Sequence, residues 1–311
     1  MFKTLTVDIS ENCGAKCPWC TTGKLNRSNN AKFIPYMTDK EFDKGMHYLL
    51  SLSAINNDTE IELYNWGEPL INPYIDNIID IIKSYGNPYH ISTNAYNIDN
   101  FKIKDFGKLT FLMVSLSAFS QRNYDKIHSL NLERVLTNIE ILHKRLCDVG
   151  LGNRMQVNFH LYKFNMVEMI KAKEYFAQKN IKFVPRLAYF NDFYQMENFL
   201  SGNTDKTLKK AQAQIFCQLI RKIASDKPDN DSYRCPQIYD KLVFGANWDL
   251  IPCCRLSRKH VIGNLYDMTL DDILSTKSNY KLCGQCINSG QSYFVHNPLE
   301  IKLSVDNKYF F

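Results

Sequence analysis

The feature that most constrains the fold is a regular alternation of short apolar strands and amphipathic helices through the first two-thirds of the chain. The predicted strands are Thr4–Ile9, Ile61–Tyr64, His90–Asn94, Thr110–Leu116, Met155–Tyr162 and Ile181–Phe190. Short links between such units require parallel strands with right-handed crossovers. The sequence therefore predicts an α/β fold, either a curved (β/α)6 partial barrel or a flat doubly wound sheet. In both, functional residues follow the carboxyl ends of strands.

The predicted helices between these strands have recognisable ends. Thr38 and Glu41 form a capping box that begins one helix, and Gly86 ends another that spans Ile75–Tyr85. Two more are predicted from Leu132 to Val149 and from Val167 to Lys179.

The pattern changes after residue 200. A helix is predicted to about Ser225, then a polar loop at 227–231, and then a hairpin around Gly245-Ala246-Asn247. Thr269 is predicted to cap a short helix before two closely spaced cysteines. We therefore expect a first domain at 1–200, a connecting helix and linker at 201–231, and a small module at 232–311.

Composition excludes some partners and predicts a compartment. The net charge of +6 is dispersed along the chain, so nucleic acid is not an expected partner. The first ten residues alternate like a strand, and no apolar run is long enough to span a membrane. We expect a cytoplasmic, reduced protein, in which ten cysteines indicate metal or redox chemistry.

Three of the cysteines lie directly after the first predicted strand. Cys13, Cys17 and Cys20 have the spacing Cx3Cx2C. Three thiolates on one short loop can ligate three irons of a cubane and leave the fourth iron open to another ligand. A structural zinc site needs four protein ligands, and no neighbouring His or Cys in the sequence supplies the fourth.

This loop resembles that of the radical S-adenosylmethionine (SAM) superfamily. The resemblance implies a partial (β/α)6 TIM-like barrel and a [4Fe–4S] cluster whose open iron binds SAM. It also implies reductive cleavage of SAM to a 5′-deoxyadenosyl radical, which abstracts hydrogen from a substrate, and an electron donor such as flavodoxin or ferredoxin. The residue before the third cysteine is typically aromatic in that family and lies against the adenine, which assigns this role to Trp19.

A second motif follows the second predicted strand. Asn65-Trp66-Gly67-Glu68-Pro69 stands where the family carries Gly-Gly-Glu-Pro, with Trp66 in place of the first glycine. The resemblance implies that Glu68 accepts from the amino group of SAM and that Gly67 lets the backbone approach it. An ordinary Gly-Glu-Pro turn is the alternative.

The later strands end in the remaining SAM-contact candidates. The resemblance places them at strand ends: Ser92, Thr93 and Asn94 at the third, Ser117 at the fourth and Asn165 at the fifth. Arg186, near the end of the sixth strand, is expected to face the mouth of the barrel and to pair with a carboxylate of SAM or of an acidic substrate. Relatives often have an acid where this chain has Ser117, so the expected contact there is a hydroxyl to the ribose or carboxylate. His128 is predicted to be structural.

A second group of cysteines falls in the C-terminal module. Their frame resembles the SPASM/twitch extension of radical SAM enzymes, which implies one auxiliary [4Fe–4S] cluster held by Cys235, Cys253, Cys283 and Cys286. Cys254 is an alternative to Cys253. A four-cysteine zinc ribbon could use the same residues.

Two other thiols are candidates for chemistry. Cys217 or Cys254 could donate a hydrogen atom to a substrate radical, as epimerases of the family require. Cys147 is predicted to be a core residue.

The resemblance does not identify the substrate. One auxiliary cluster is similar to the arrangement in aminocyclitol dehydrogenases of the family, and the first strand leaves no room for an N-terminal peptide-recognition domain. We therefore expect a small polar substrate, a carbohydrate or aminocyclitol, that is dehydrogenated or epimerised. The alternatives are a ribosomal-peptide maturase and, more remotely, a non-catalytic zinc-stabilised binding protein.

Overall fold

Parallel strands joined by helices form the first part of the chain in a computed structural model, which describes residues 1–203, 206–228 and 233–297. The strands are β1 Thr4–Val7, β2 Glu60–Leu63, β3 Tyr89–Thr93, β4 Leu109–Leu116, β5 Met155–Leu161 and β6 Lys182–Leu187. The helices of this part are α1 Thr21–Arg27, α2 Asp39–Ser51, α3 Ile75–Tyr85, α4 Gln121–Ile127, α5 Leu132–Cys147 and α6 Met166–Gln178.

Local sequence signals set the ends of these helices. The capping box predicted at Thr38 and Glu41 is present at the start of α2. Gly86 ends α3 in the left-handed region with φ 73°, where a glycine has no steric penalty. The apolar face of α3 packs its isoleucines into the core against the sheet.

The sheet confirms a partial barrel. Its strand order is β6-β5-β4-β3-β2-β1, all parallel, and the sheet does not close on itself. In this arrangement the loops after β1 to β6 meet at one end of the sheet, because parallel strands all point the same way.

The C-terminal part extends this sheet at its β1 edge. Its strands are β7 Lys241–Phe244, β8 Asp249–Leu250 and β9 Gly263–Asn264. The predicted hairpin is confirmed by the antiparallel pairing of β7 with β8, but β7 also pairs parallel with β1, which the sequence did not indicate. The helices of this part are α7 Phe193–Leu200, α8 Lys206–Gln212, α9 Cys217–Ser225, α10 Pro236–Tyr239, α11 Leu270–Ser278, α12 Leu282–Asn288 and α13 Gln291–His296.

The continuous helix predicted to reach Ser225 was wrong. The helix is interrupted between α8 and α9, where the side chains of Ile215 and Phe216 are buried in the core. The break frees the carbonyl of Gln214 to accept from the backbone N–H of Lys163 at 2.8 Å. Parts of the predicted linker at 227–231 and the chain from 298 onward lie outside the described residues.

A close helix-to-hairpin contact docks the C-terminal part on the barrel. The ring of Trp248 lies on Gly45 of α2, where a Cβ atom would come within 2.0 Å of the indole. The indole N–H also donates to the carbonyl of Glu41 at 2.9 Å. Among the described helices, none is long and apolar enough to cross a membrane.

Candidate functional site

A cavity of about 250 Å³ opens where strands β1 to β6 end. All three cysteines of the N-terminal triplet line it. So do seven of the nine predicted SAM contacts, namely Trp19, Gly67, Glu68, Ser92, Thr93, Asn94 and Ser117. The structure therefore brings together residues that are spread over more than a hundred positions of the sequence.

Helix α1 holds the cysteine loop in place through hydrogen bonds and close packing. Asn26 of α1 donates to the carbonyls of Cys13 at 2.6 Å and Ala15 at 2.7 Å. Gly23 sits so close to the loop that a Cβ atom would lie 2.3 Å from the carbonyl oxygen of Cys17. Burial raises the pKa of the Cys13 thiol to about 12, which a metal must overcome to bind the thiolate.

The spacing of the sulfur atoms bears on which metal group fits. Within the described residues, only Glu60, Glu62 and His90 form a group of three His, Cys, Asp or Glu side chains whose ligand atoms all lie within 4.8 Å of one another. Zinc–sulfur bonds of about 2.3 Å would hold sulfur atoms roughly 3.8 Å apart. The wider spacing favours a multi-iron cluster over one zinc ion for both cysteine sets.

Asp8, which the sequence reasoning missed, joins the first two loops. Its buried carboxylate accepts from the backbone N–H groups of Trp66 at 2.7 Å, Gly67 at 3.1 Å and Glu11 at 3.0 Å. Gly67 lies so near that a Cβ atom would be 2.5 Å from the backbone nitrogen of Glu11. The available signal was that Asp8 is the one charged residue in the predicted strand Thr4–Ile9.

Glu68 is buried and already holds three hydrogen bonds. Its carboxylate accepts from the backbone N–H groups of Leu70 at 3.1 Å and Asn94 at 2.7 Å, and from the Thr93 hydroxyl at 2.6 Å. Loss of hydration raises the pKa of Glu68 to about 7 despite these donors. The site thus holds a carboxylate whose charge a cation would stabilise.

Trp66 has a role that the motif did not predict. Its indole N–H donates to the carbonyl of Leu256 in the C-terminal part at 2.9 Å. The tryptophan that replaces the first glycine of the family motif therefore ties the cavity to that part.

Two buried donors of the cavity have no hydrogen-bond partner among the described residues. They are the indole Nε1 of Trp19 and the amide Nδ2 of Asn65, and both residues line the cavity. Buried donors of this kind carry a free-energy cost unless a ligand accepts from them. The arrangement therefore fits a ligand with acceptor atoms on both sides.

Two predicted SAM contacts do not line the cavity. The Asn165 amide is buried and donates to the carbonyls of Ser117 at 2.7 Å and His160 at 2.9 Å, so it shapes the turn after β5. Arg186 lies opposite His160 in the sheet register but does not reach the cavity wall.

The second cysteine group lines a separate cavity of about 30 Å³. Cys235, Cys253, Cys283 and Cys286 all contribute to its wall, whereas Cys254 does not. The buried ammonium group of Lys277 lies near these thiols. It donates a hydrogen bond to the carbonyl of Pro252, the residue before Cys253, at 2.5 Å. Burial lowers the pKa of Lys277 to about 8, and negative charge on the cysteines would raise it.

The remaining thiols lie elsewhere. Burial raises the pKa of the Cys254 thiol, while the positive charges of Lys241 and Arg255 act to lower it. Cys217 lines neither of these two cavities, and its Sγ lies 3.3 Å from the carbonyl of Gln212. Cys147, predicted to be core, is exposed beside His143, which corrects that prediction.

The negative charge of the group formed by Glu60, Glu62 and His90 is offset by the ammonium group of Lys241. Lys241 contacts both carboxylate oxygens of Glu62 at 2.7 Å, and Thr6 donates to the same carboxylate at 2.5 Å. His90 lies 3.3 Å from Glu60. Because Lys241 and Thr6 occupy the oxygens of Glu62, this cluster is an internal ion-pair network.

The fold and the site together define the class of protein: its strands form an open parallel α/β barrel, and a three-cysteine loop lies at the mouth of this barrel. Residues 7–158 match the family model described as the Radical SAM superfamily. This match identifies residues 7–158 as a radical SAM domain, as the cysteine loop predicted. No curated protein matches the sequence.

Solved structures share this fold at low identity. SuiB of Streptococcus suis bound to S-adenosylmethionine is 15% identical with a TM-score of 0.62, covering 92% of this chain and 68% of that one. Native anSMEcpe with bound AdoMet is 14% identical with a TM-score of 0.55, covering 94% and 96%. At these identities the likeness establishes the fold alone.

Proposed function

We propose that this enzyme binds a [4Fe–4S] cluster through Cys13, Cys17 and Cys20 and uses it to cleave SAM reductively. The observation that carries the proposal is the convergence of these three thiols with Glu68 and its partners on one cavity. When bound, the cluster and SAM supply a 5′-deoxyadenosyl radical that abstracts hydrogen from a substrate.

The residues of the cavity would then bind and orient SAM. Glu68 accepts from the amino group, and its own hydrogen bonds to Thr93 and Asn94 keep the carboxylate in place. Trp19 and Asn65 provide the donors that lack a hydrogen-bond partner in the part of the chain that the structure describes. The buried walls exclude water from the reacting atoms.

An auxiliary cluster is the second part of the proposal. Cys235, Cys253, Cys283 and Cys286 would hold it, supported by their shared cavity and by the buried Lys277 that offsets thiolate charge. Cys253 is preferred to Cys254 because only Cys253 faces that cavity. Neither of the two thiols considered as hydrogen donors, Cys217 and Cys254, is among the residues that line the SAM cavity.

The proposed substrate is a small polar molecule, a carbohydrate or aminocyclitol, that is dehydrogenated or epimerised. Further uncharged hydrogen-bonding groups line the cavity, among them Ser115, Tyr189 and Asn191. Such a lining suits hydroxyl and amino groups. A peptide substrate is the second candidate, because SuiB, which shares the fold, has been solved bound to its precursor peptide SuiA.

Anaerobic reconstitution tests radical generation. We expect about eight irons per chain for two four-iron clusters and formation of 5′-deoxyadenosine with dithionite and SAM. The variant Cys13→Ala should lose that product, while the control Cys147→Ala should keep it, because Cys147 lies in neither cysteine set. Full product formation by Cys13→Ala, or none by the wild-type protein, would overturn the proposal.

The substrate class is tested by stimulation of SAM cleavage. We expect aminocyclitols or sugars to increase 5′-deoxyadenosine formation, and deuterium from solvent to enter the product only if the reaction is an epimerisation. Stimulation by short peptides and by no polyol would favour the peptide alternative.

A further inference from the structure

A buried chain of hydrogen bonds runs from the cysteine loop into the cavity wall. The Sγ of Cys17 lies 3.2 Å from Nδ1 of His128. The Nε2 of His128 lies 2.9 Å from the hydroxyl of Ser117, which lies 3.1 Å from Nδ1 of His160. The sequence indicated none of these contacts, because the four residues come from four different segments.

The two middle members of this hydrogen-bond chain, Ser117 and His128, are buried. Ser117 is 1% exposed and His128 is 4% exposed. Burial lowers the pKa of His160 to about 4, aided by the charge of Arg186. Burial of the ring disfavours the charged form of His128, so this imidazole presents one nitrogen that donates and one that accepts.

A thiolate bound to iron fixes the direction of every bond in the chain. Because the thiolate can only accept, His128 donates to it from Nδ1 and must accept at Nε2. The Ser117 hydroxyl then donates to His128 and accepts from Nδ1 of His160. The Nε2 of His160 is left without a proton. In this arrangement each of the three contacts has one donor hydrogen and one acceptor.

We propose that His128 is a positioning residue that donates a hydrogen bond to the cluster ligand Cys17, and that Ser117 and His160 hold it in the donating tautomer. This inference rests on the proposed cluster at Cys13, Cys17 and Cys20. A donor to a cluster sulfur stabilises the additional negative charge of the reduced state. His128 therefore raises the reduction potential of the cluster.

This assignment changes the role expected for Ser117. Its hydroxyl lies between two imidazoles and is committed to them. Ser117 thus acts through His128 on the cysteine loop, in addition to lining the cavity.

The test is a potentiometric titration of the holoenzyme followed by electron paramagnetic resonance, using the signal that changes when SAM is added. We expect His128→Leu to shift the midpoint potential to a more negative value. His128→Gln keeps one donor and one acceptor and should restore most of the wild-type potential. Ser117→Ala should shift the potential in the same direction as His128→Leu, by less.

His143→Leu is the matched control. It removes an imidazole beside another cysteine, since Nε2 of His143 lies 3.5 Å from the Sγ of Cys147, which lies outside both proposed cluster sites. We expect no shift in this variant. If His128→Leu does not assemble the cluster, the potential of Ser117→Ala decides: a more negative value supports the assignment and an unchanged value overturns it.

An unchanged potential in His128→Leu and in Ser117→Ala, with the cluster present, would overturn the assignment of His128. A shift of equal size in His143→Leu would do so as well. Failure of the proposed function gives a different result, because the wild-type protein would then show no SAM-dependent signal.

Discussion

Glu68 offers the sharpest test of the SAM site, through the substitution Glu68→Gln. Its carboxylate is buried, and its three hydrogen-bond donors are two backbone amides and the hydroxyl of Thr93, none of them a cation. Burial therefore raises the pKa of Glu68 from 4.5 to about 7. The folded protein without SAM binds a proton there that the unfolded chain releases.

The sign and size of the effect follow from this difference. Because the folded state binds the proton more tightly, the free energy of unfolding contributed by Glu68 falls as pH rises from about 4.5 to 7. A rise of this size in pKa corresponds to about 3 kcal/mol. Glu68→Gln has no such proton, so it should lose this part of the pH dependence and should gain stability relative to wild type at pH 8.

SAM binding should change in the opposite direction with pH. Only the ionised carboxylate accepts from the amino group, and it is a minor species at pH 6. We expect the affinity for SAM to increase about tenfold between pH 6 and pH 8 in the wild type. Glu68→Gln should bind weakly at both pH values.

The assays are urea unfolding of the SAM-free protein at pH 5 and pH 8, and calorimetric SAM titration of the reconstituted protein. Glu197→Gln is the control, a buried glutamate that bonds Ser289 and Gln291 away from the cavity. It should keep the pH dependence of both quantities. If Glu68→Gln also keeps them, the reasoning about Glu68 is refuted.

Three further predictions concern the C-terminal part. Gly45→Ala should lower the free energy of unfolding in urea by about 1–3 kcal/mol, because its Cβ atom would overlap Trp248. The control Gly284→Ala, also in a helix but with open space around it, should be neutral or stabilising. Equal effects of the two substitutions would contradict the proposed docking. Cys253→Ala should lower the iron content from about eight to about four per chain, and Cys254→Ala should leave it unchanged, as measured by iron analysis. Removal of iron with a chelator should lower the thermal unfolding temperature, since metal-bound modules lose folding free energy with the metal, and an unchanged temperature would argue against a structural cluster.

Much of the fold could be predicted because its signals are local. Apolar periodicity located the strands and most helices of the barrel to within a few residues, and the caps at Thr38 and Gly86 set helix ends. The continuous helix before Ser225 failed for a non-local reason. Its break depends on burial of Ile215 and Phe216 and on a carbonyl bonding to a distant loop, which helix propensity does not register.

The hydrogen bonds within the site were harder to predict from the sequence than the residues that line it. The motifs named most of the cavity wall in the correct order along the chain. Asp8 was missed because its three backbone donors come from two separate loops. Asn165 was expected at the cofactor, yet its amide is used by the turn itself.

The sequence by itself determined the chemistry available: three thiols at close spacing on one loop, a glutamate beside a glycine, and five further thiols after residue 232. Spacing within one segment is a covalent property, so it can be read without the fold. Tertiary structure decided which groups meet. The pairing of β7 with β1, the choice of Cys253 over Cys254 at the second cavity, and the contact of Cys17 with His128 each join segments far apart in sequence. Such contacts depend on how the sheet and helices pack, which no local pattern encodes.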